Sequence, residues 1–161
     1  MSGDPATAAS RPAVVLLVED DENQVLLTQL AFEEAGLEVD LRCVSDGAEC
    51  MAYLGRAGRD AATPWPDLVL LDVHLPRMDG TEVMAAIAAS EELRTLVVVV
   101  LTTSINPDDL QRMYALRCNS YVVKPVEFKA FVETVRGIGR YWLQLAALPA
   151  PGRKPAARPA A

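Results

Sequence analysis

Residues 68–76 read LVLLDVHLP, and the predicted fold follows from this segment. Its first four residues are apolar and uninterrupted, which is typical of a short strand buried on both faces of a parallel sheet. Asp72 follows this strand directly, and Pro76 and the Asp79-Gly80 pair mark a turn beyond it. Open α/β sheets place their ligands and chemistry at the carboxyl ends of the strands. Asp72 is therefore the first candidate functional residue.

A predicted strand followed by a helical pattern occurs five times along the chain; the second strand alternates charged and apolar residues, as an edge strand does. The predicted strands cover residues 14–18, 38–44, 68–71, 96–101 and 121–123. After each of them, apolar residues recur at the three- and four-residue steps of a helix. Right-handed crossovers between successive parallel strands then predict an α/β fold, a doubly wound five-stranded sheet with helices on both faces.

One folded domain is predicted for residues 12–148. Residues 1–11 are small, polar and proline-containing, and residues 149–161 are rich in proline and alanine with three bases. Both ends are expected to be disordered, because they contain too few large apolar residues to pack.

The last predicted helix is the longest, since apolar residues recur from Phe128 to Leu145 for about five turns. Its first half is expected to pack in the core. Trp142, Leu143 and Leu145 come after a helix of ordinary length would have ended, so they predict an interface instead. We therefore expect a homodimer joined through the region of the fourth and fifth helices and this C-terminal extension.

Charge and composition argue against several classes of partner. Asp4 is the only acid outside residues 12–148, whereas four bases lie there, so the formal charge of −7 for the chain becomes −10 for the domain. Such a surface repels phosphate backbones, and we expect no nucleic-acid partner. No apolar run approaches the roughly 18 residues of a membrane-spanning helix, so no membrane association is expected. Cys43, Cys50 and Cys118 are scattered, which predicts reduced thiols used as small core residues in a cytoplasmic protein.

Four of the five predicted strands end in polar residues. These are Glu19 and Asp20 after the first, Asp72 after the third, Thr102 after the fourth and Lys124 after the fifth. Because the carboxyl ends of parallel strands share one edge, a single cleft is expected to collect all five. Crowded carboxylates raise one another's pKa, and a hard divalent cation such as Mg²⁺ removes that conflict.

These residue types suit an aspartate that accepts a phosphoryl group. Aspartate carboxylates can attack phosphorus and form an acyl-phosphate. The charge that builds on the phosphoryl oxygens needs positive or hydrogen-bonding partners. Lys124 offers an ammonium and Thr102 a hydroxyl, while Mg²⁺ would neutralise the remaining charge.

The ordered set of these residues resembles the receiver domains of two-component response regulators. The resemblance rests on Glu19-Asp20, on Asp72 with Pro76 and Asp79-Gly80, on Thr102, and on Lys124-Pro125, and it covers about residues 13–145. It implies a flavodoxin-like sheet in the order 2-1-3-4-5 with five flanking helices. It also implies a stand-alone regulator that takes its phosphoryl group from the phosphohistidine of a sensor histidine kinase. Such a protein catalyses its own phosphorylation and dephosphorylation without being a turnover enzyme, and it signals through protein contacts.

The resemblance also assigns roles around the metal. Asp72 would be phosphorylated, and Asp20 and Asp72 would bind Mg²⁺ together with the main-chain carbonyl of His74. Glu19 would hold a metal-bound water. The His74 side chain would lie at the mouth of the pocket, although a lone histidine also suggests a phosphoryl carrier or a metal ligand.

Three further roles follow from the resemblance. Thr102 and Lys124 would contact the phosphoryl oxygens. Tyr121 would be the switch aromatic, which turns inward when Thr102 moves, although packing at the sheet edge is an alternative. The Lys124–Pro125 peptide would be cis.

Within this family the chain is similar to the regulators that partner bacterial phytochrome-type sensor kinases. The similarity lies in the LTTSIN sequence at residues 101–106, the long loop at residues 55–66 and the extended tail.

Two alternative functions remain open from the sequence. A haloacid-dehalogenase-type phosphatase also uses a strand-end aspartate with Mg²⁺, but it needs a second aspartate two residues later, where this chain has His74. A degenerate receiver would bind partners without being phosphorylated, but the complete set of five strand-end residues argues against it.

Overall fold

The computed structural model describes residues 11–150. Residues 1–10 and 151–161, which carry most of the predicted terminal disorder, lie outside the described range. The strands are β1 Ala13–Val18, β2 Val39–Val44, β3 Leu68–Leu71, β4 Val98–Thr102 and β5 Ser120–Val123. The helices are α1 Glu22–Glu34, α2 Gly47–Arg56, α3 Gly80–Ala89, α4 Pro107–Ala115 and α5 Phe128–Gly139, followed by a π-helical segment, Arg140–Leu145.

All five strands are parallel and lie in the order β2-β1-β3-β4-β5, which confirms the predicted doubly wound sheet. The central strand, β3, is buried along its whole length, as its uninterrupted apolar sequence predicted. The register pairs Val18 with Leu71, so the residues that follow them, Glu19 and Asp72, leave the sheet at the same level.

The sheet has a core on each face. Helices α1 and α5 cover one face, where Phe32 and Phe131 pack against Leu17 and Leu70. Helices α2, α3 and α4 cover the other, where Ile87 packs in a cluster with the alternate residues of the same strands. Because side chains alternate along a strand, the continuous apolar runs of the central strands serve both cores at once.

Four of the helices begin at a capping side chain. Asp21, Asp46, Asp79 and Asn106 each accept a hydrogen bond from a backbone N–H in the first turn of α1, α2, α3 and α4. Each cap sets the residue at which a helix begins. It therefore also sets the length of the loop between that helix and the preceding strand, where the strand-end side chains lie.

The last helical region extends from Phe128 to Leu145, as predicted, but it is no longer α-helical after Gly139. There α5 widens into the π-helical segment, whose last turn closes with a hydrogen bond from the Ala146 N–H to the Tyr141 carbonyl, 2.7 Å. Trp142 and Leu143 are half-buried against the core cluster of the α1 and α5 face, so the premise that they lie beyond the part of their own domain that they could cover is wrong. The domain has an apolar region left for them to cover at the amino-terminal edge of the sheet, where Leu37 belongs to the same cluster.

Leu145 and Tyr141, in contrast to Trp142 and Leu143, are largely exposed, at 78% and 54%.

The cysteines are free thiols, but only two of them are core residues. Cys50 and Cys118 are buried, whereas Cys43 is exposed, contrary to the prediction. Cys43 lies near the carboxyl end of β2, an edge strand with only one neighbour, where helix coverage is incomplete. No helix within residues 11–150 is long and apolar enough to cross a membrane.

Candidate functional site

Three of the predicted site carboxylates meet at the carboxyl edge of the sheet. Glu19, Asp20 and Asp72 each offer an oxygen, and these oxygens lie within 4.8 Å of one another. Glu19 is buried, Asp72 is half-buried and Asp20 is exposed, so the cluster opens to solvent on one side. Hard oxygen donors at this spacing, accessible to water, fit the preferences of Mg²⁺.

Glu19 is the most constrained of the three carboxylates. Its Oε2 accepts a hydrogen bond from Lys124 Nζ at 2.6 Å, and its Oε1 accepts one from the backbone N–H of Asp21 at 3.2 Å. Burial raises the pKa of Glu19, and the hydrogen bond from Lys124 opposes that rise. Because Lys124 is itself buried, the two side chains form an internal ion pair beside Asp72.

Thr102 lies directly against Asp72. Its hydroxyl donates to Asp72 Oδ1 at 2.7 Å, and Thr102 itself is fully buried at the end of β4. This hydrogen bond occupies one carboxylate oxygen of Asp72. The hydroxyl oxygen of Thr102 in turn accepts the backbone N–H of Ser104 at 3.2 Å, which connects the loop after β4 to the carboxylate cluster.

The side chain of His74 lies at the mouth of the cleft. It is largely exposed, and its Nε2 approaches Asp109 Oδ2 at 3.2 Å. The same Asp109 oxygen accepts the hydroxyl of Ser104 at 2.5 Å. The imidazole is thus held by α4 rather than by the three-carboxylate cluster, which favours a position at the rim of the cleft over a metal ligand.

Tyr121 is half-buried in β5, and its hydroxyl donates to the carbonyl of Ser104 at 3.0 Å. Burial raises the pKa of its phenol. The ring therefore contacts the loop that carries Ser104, and any movement of that loop acts on it directly.

The loop between β3 and α3 approaches the strand end closely. A Cβ at position 80 would overlap the carbonyl oxygen of Asp72 and lie 2.8 Å from that of Val73, so only glycine fits there. In the same loop Arg77 adopts a left-handed φ of 64° and pairs with Asp46, the cap of α2, at 3.2 Å. The loop that follows Asp72 is thereby attached to two helices.

The expectation of a cis Lys124–Pro125 peptide is wrong. The structure has no cis peptide bond between residues 11 and 150. Trans is the isomer that proline-preceding bonds intrinsically prefer.

The predicted site residues thus lie together, and the structure adds contacts that the sequence did not reveal. Ser104 and Asp109 join Thr102 to His74, and Arg77 joins the loop after Asp72 to α2. Asp109 carries a weak signal in the sequence, since it lies three residues after Asn106, the capping residue of α4. That position is common for acids at a helix start, so it gave no reason to link Asp109 to His74.

Comparison with known proteins gives a consistent result. Residues 15–136 match the response regulator receiver domain family. The chain is 42% identical over 142 residues to the probable methanogenesis regulatory protein FilR2 of Methanothrix harundinacea, an alignment covering 88% of this chain and 90% of that protein. It is 40% identical over 139 residues to response regulator Rcp1 of Synechocystis sp., covering 86% and 95% of the two chains.

Solved structures extend the likeness to the fold. The phosphorylated cyanobacterial phytochrome response regulator RcpA superposes with a TM-score of 0.80 at 39% identity, covering 87% of this chain and 100% of that one. The Mn²⁺-bound form of Rcp1 gives 0.77 at 40% identity, covering 86% and 100%. With the family match over most of its length and the sheet order described above, the chain belongs to the response regulator receiver domain family.

Proposed function

We propose that this receiver domain accepts a phosphoryl group on Asp72 in a Mg²⁺-dependent reaction. The observation that carries the proposal is the cluster of Glu19, Asp20 and Asp72, whose carboxylate oxygens lie within 4.8 Å of one another beside Thr102 and Lys124. A hydroxyl and an ammonium next to a carboxylate match the needs of phosphoryl transfer.

In the proposed reaction, a carboxylate oxygen of Asp72 attacks the phosphorus of a phosphohistidine. The P–N bond breaks, and its electron pair returns to the imidazole of the donor while the new O–P bond forms. Asp20, Asp72 and the main-chain carbonyl of His74 would hold Mg²⁺, and Glu19 would hold a water on it. The cation would supply positive charge to a phosphoryl oxygen.

Thr102 and Lys124 are the proposed partners of the other phosphoryl oxygens. Both already have partners in this structure, since Thr102 donates to Asp72 and Lys124 pairs with Glu19. Thr102 must therefore exchange its acceptor when the phosphoryl group arrives. Lys124 has three N–H donors, so it can contact a phosphoryl oxygen while keeping Glu19.

Tyr121 is the proposed reporter of this exchange. Its hydrogen bond to the Ser104 carbonyl places it two residues from Thr102, so a shift of Thr102 changes the position available to the ring. The altered surface around α4 and β5 would then carry the signal to a protein partner.

The phosphoryl donor is proposed to be a phytochrome-type sensor histidine kinase. RcpA, which superposes closely on this chain, is described as a phytochrome response regulator. Loss of the phosphoryl group by self-catalysed hydrolysis would reset the domain, so the protein acts as a switch rather than as a turnover enzyme. The haloacid-dehalogenase-type phosphatase is not favoured, because the chain belongs to the receiver family.

A homodimer is proposed through the α4 and α5 region and the C-terminal extension. Large apolar side chains are exposed along this side of the domain. They are Leu110, Tyr114, Val123, Val126, Phe128, Tyr141 and Leu145. Exposed large apolar side chains mark interaction sites when they lie together on one surface.

The domain itself is proposed to cover residues 12–148. We propose a cytoplasmic location, where a sensor kinase would present its phosphohistidine. The three free cysteines fit that reducing compartment.

Intact-mass measurement after incubation with acetyl phosphate and Mg²⁺ tests the proposal. Wild type is expected to gain one phosphoryl group, and Asp72→Asn none, because the amide removes the nucleophile. Asp67→Asn is the matched control, since Asp67 lies just before the amino end of β3, where it accepts the Val14 N–H. It should be labelled like wild type. Chelation of Mg²⁺ should abolish the labelling.

Equal labelling of wild type and Asp72→Asn would contradict the assignment of Asp72. Sustained hydrolysis of a chromogenic phosphate ester would instead indicate the phosphatase. Wild type that is never labelled, by acetyl phosphate or by a phosphorylated kinase, would indicate the degenerate receiver.

A further inference from the structure

Asp109 has side-chain contacts that its place in the helix does not explain. It lies in the first turn of α4 and is only 8% exposed. Its Oδ2 accepts the Ser104 hydroxyl at 2.5 Å and lies 3.2 Å from His74 Nε2. Both neighbours belong to the loops at the candidate site, one after β4 and one after β3.

These contacts close a ring around the candidate site. Starting from Asp72, the ring passes through the Thr102 hydroxyl, at 2.7 Å, to the Ser104 N–H, at 3.2 Å. It continues through the Ser104 side chain to Asp109 and on to His74, which is two residues from Asp72 along the chain. Hydrogen bonds join the first four members, the 3.2 Å contact of Asp109 with His74 Nε2 adds the fifth, and the covalent chain joins His74 to Asp72.

An acid in the first turn of a helix also stabilises the helix through its dipole. Asp108, in the same turn, provides that effect from an exposed position, and the Asn106 side chain caps its N–H. Helix stabilisation alone would not require a buried carboxylate that contacts two other loops. The burial and the two contacts of Asp109 therefore need another explanation.

We propose that Asp109 is a positioning residue that holds Thr102 against Asp72 and so opposes the phosphorylated arrangement. This inference rests on the proposed function, in which Thr102 exchanges Asp72 for a phosphoryl oxygen. Movement of Thr102 carries the Ser104 N–H with it, and Ser104 is bound to Asp109. The shared carboxylate thus sets how much free energy phosphorylation must supply to move the loop after β4.

The test uses beryllofluoride, a stable phosphoryl analogue, with Mg²⁺ and the full chain in a calorimetric titration. Asp109→Ala is expected to bind the analogue about fivefold more tightly than wild type, since about one net hydrogen bond that opposes the change is lost. Asp108→Ala is the matched control. It removes a carboxylate from the same helical turn but has no contact with His74 or Ser104, so its affinity should equal that of wild type.

Ser104→Ala provides an independent arm, because it removes the hydroxyl that Asp109 accepts. It should also tighten binding, and adding it to Asp109→Ala should have less effect than it has alone, as expected for two members of one contact. If Asp109→Ala does not fold, Ser104→Ala decides the outcome.

Unchanged or weaker affinity in both variants would overturn the inference, as would an equal gain in Asp108→Ala. The proposed function fails differently. In that case wild type would show no Mg²⁺-dependent binding of beryllofluoride, or Asp72→Asn would bind it as wild type does.

Discussion

At the scale of single residues, the candidate site depends on hydrogen bonds that compete with its proposed chemistry. Asp72 has one oxygen occupied by Thr102, and Lys124 is paired with Glu19. Buried polar groups need partners, so these side chains satisfy one another. The proposed phosphorylation would replace one set of hydrogen bonds by another and would not simply fill an open cavity. Because Thr102 is also bonded to the Ser104 N–H, this replacement would change the position of the loop after β4.

The three thiols give a residue-scale prediction that depends on pKa. Burial raises the pKa of Cys50 to about 12 and that of Cys118 to about 11, and it also raises the pKa of Cys43. Because the thiolate is the reactive form, a raised pKa lowers reactivity at pH 8. Ellman's reagent should therefore modify exposed Cys43 alone in the native protein, and slowly. All three should react in denaturant, and three fast native thiols would contradict the buried positions of Cys50 and Cys118.

At the scale of secondary-structure elements, loops and helix ends place the site. The caps of α1 to α4 stop the loops that follow the strands, and Arg77 attaches the loop after Asp72 to α2. Close backbone contact at Gly80 fixes the start of α3 against the end of β3. The packing of α3 and the position of Asp72 are thus coupled.

Gly80→Ala should reveal this coupling. The added methyl group would overlap the Asp72 carbonyl, so unfolding free energy should fall by about 2 kcal/mol from overpacking. Gly137→Ala is the matched control, because it lies within α5 with nothing near the added Cβ and should gain about 0.5–1 kcal/mol from helix propensity. Urea unfolding measures both. A Gly80→Ala protein as stable as Gly137→Ala would show that the contact is not close.

The π-helical segment supports a second element-scale prediction. Trp142 packs on the core cluster of the α1 and α5 face, whereas Leu145 is exposed. Trp142→Ala should therefore lower the free energy of unfolding by about 2 kcal/mol, less than for a fully buried tryptophan. Leu145→Ala should change it by less than about 0.5 kcal/mol. Similar losses in the two variants, measured by urea unfolding, would mean that the segment does not pack as described.

At the scale of the whole molecule, the domain has apolar surface on the side of α4, β5 and α5 and an acidic charge overall. The formal charge of −7 disfavours association driven by charge, so a dimer must rely on apolar contact. Exposed leucines and tyrosines on that side provide it, and the core of the domain does not need them.

Sedimentation equilibrium tests the proposed homodimer. Wild type is expected to be a dimer, and Leu110→Glu a monomer, because a charge on exposed α4 would be buried without a partner. Ala52→Glu is the control, since Ala52 is exposed on α2, which packs beside β2 at the opposite edge of the sheet from β5. It should remain a dimer. Wild type that sediments as a monomer with and without beryllofluoride would contradict the proposal.

The sheet and the set of strand-end residues could be predicted from the amino-acid sequence alone. Unbroken apolar runs such as residues 68–71, alternating with helical patterns, are typical of a parallel sheet covered on both faces, and the carboxyl ends of such strands meet at one edge. The order of strands and helices along the chain was therefore enough to predict that Asp72, Asp20 and Lys124 lie at the same edge of the sheet.

The partner of each side chain, in contrast, became known from the folded structure and not from the sequence. Lys124 pairs with Glu19, Asp109 joins His74 to Ser104, and Trp142 packs on the core instead of leaving it. These contacts join residues far apart in the chain, and hydrogen bonds are formed or lost over tenths of an ångström. A pattern of residue types cannot predict interatomic distances to that accuracy. Hydrophobic periodicity, in contrast, does predict how helices and strands are arranged in layers.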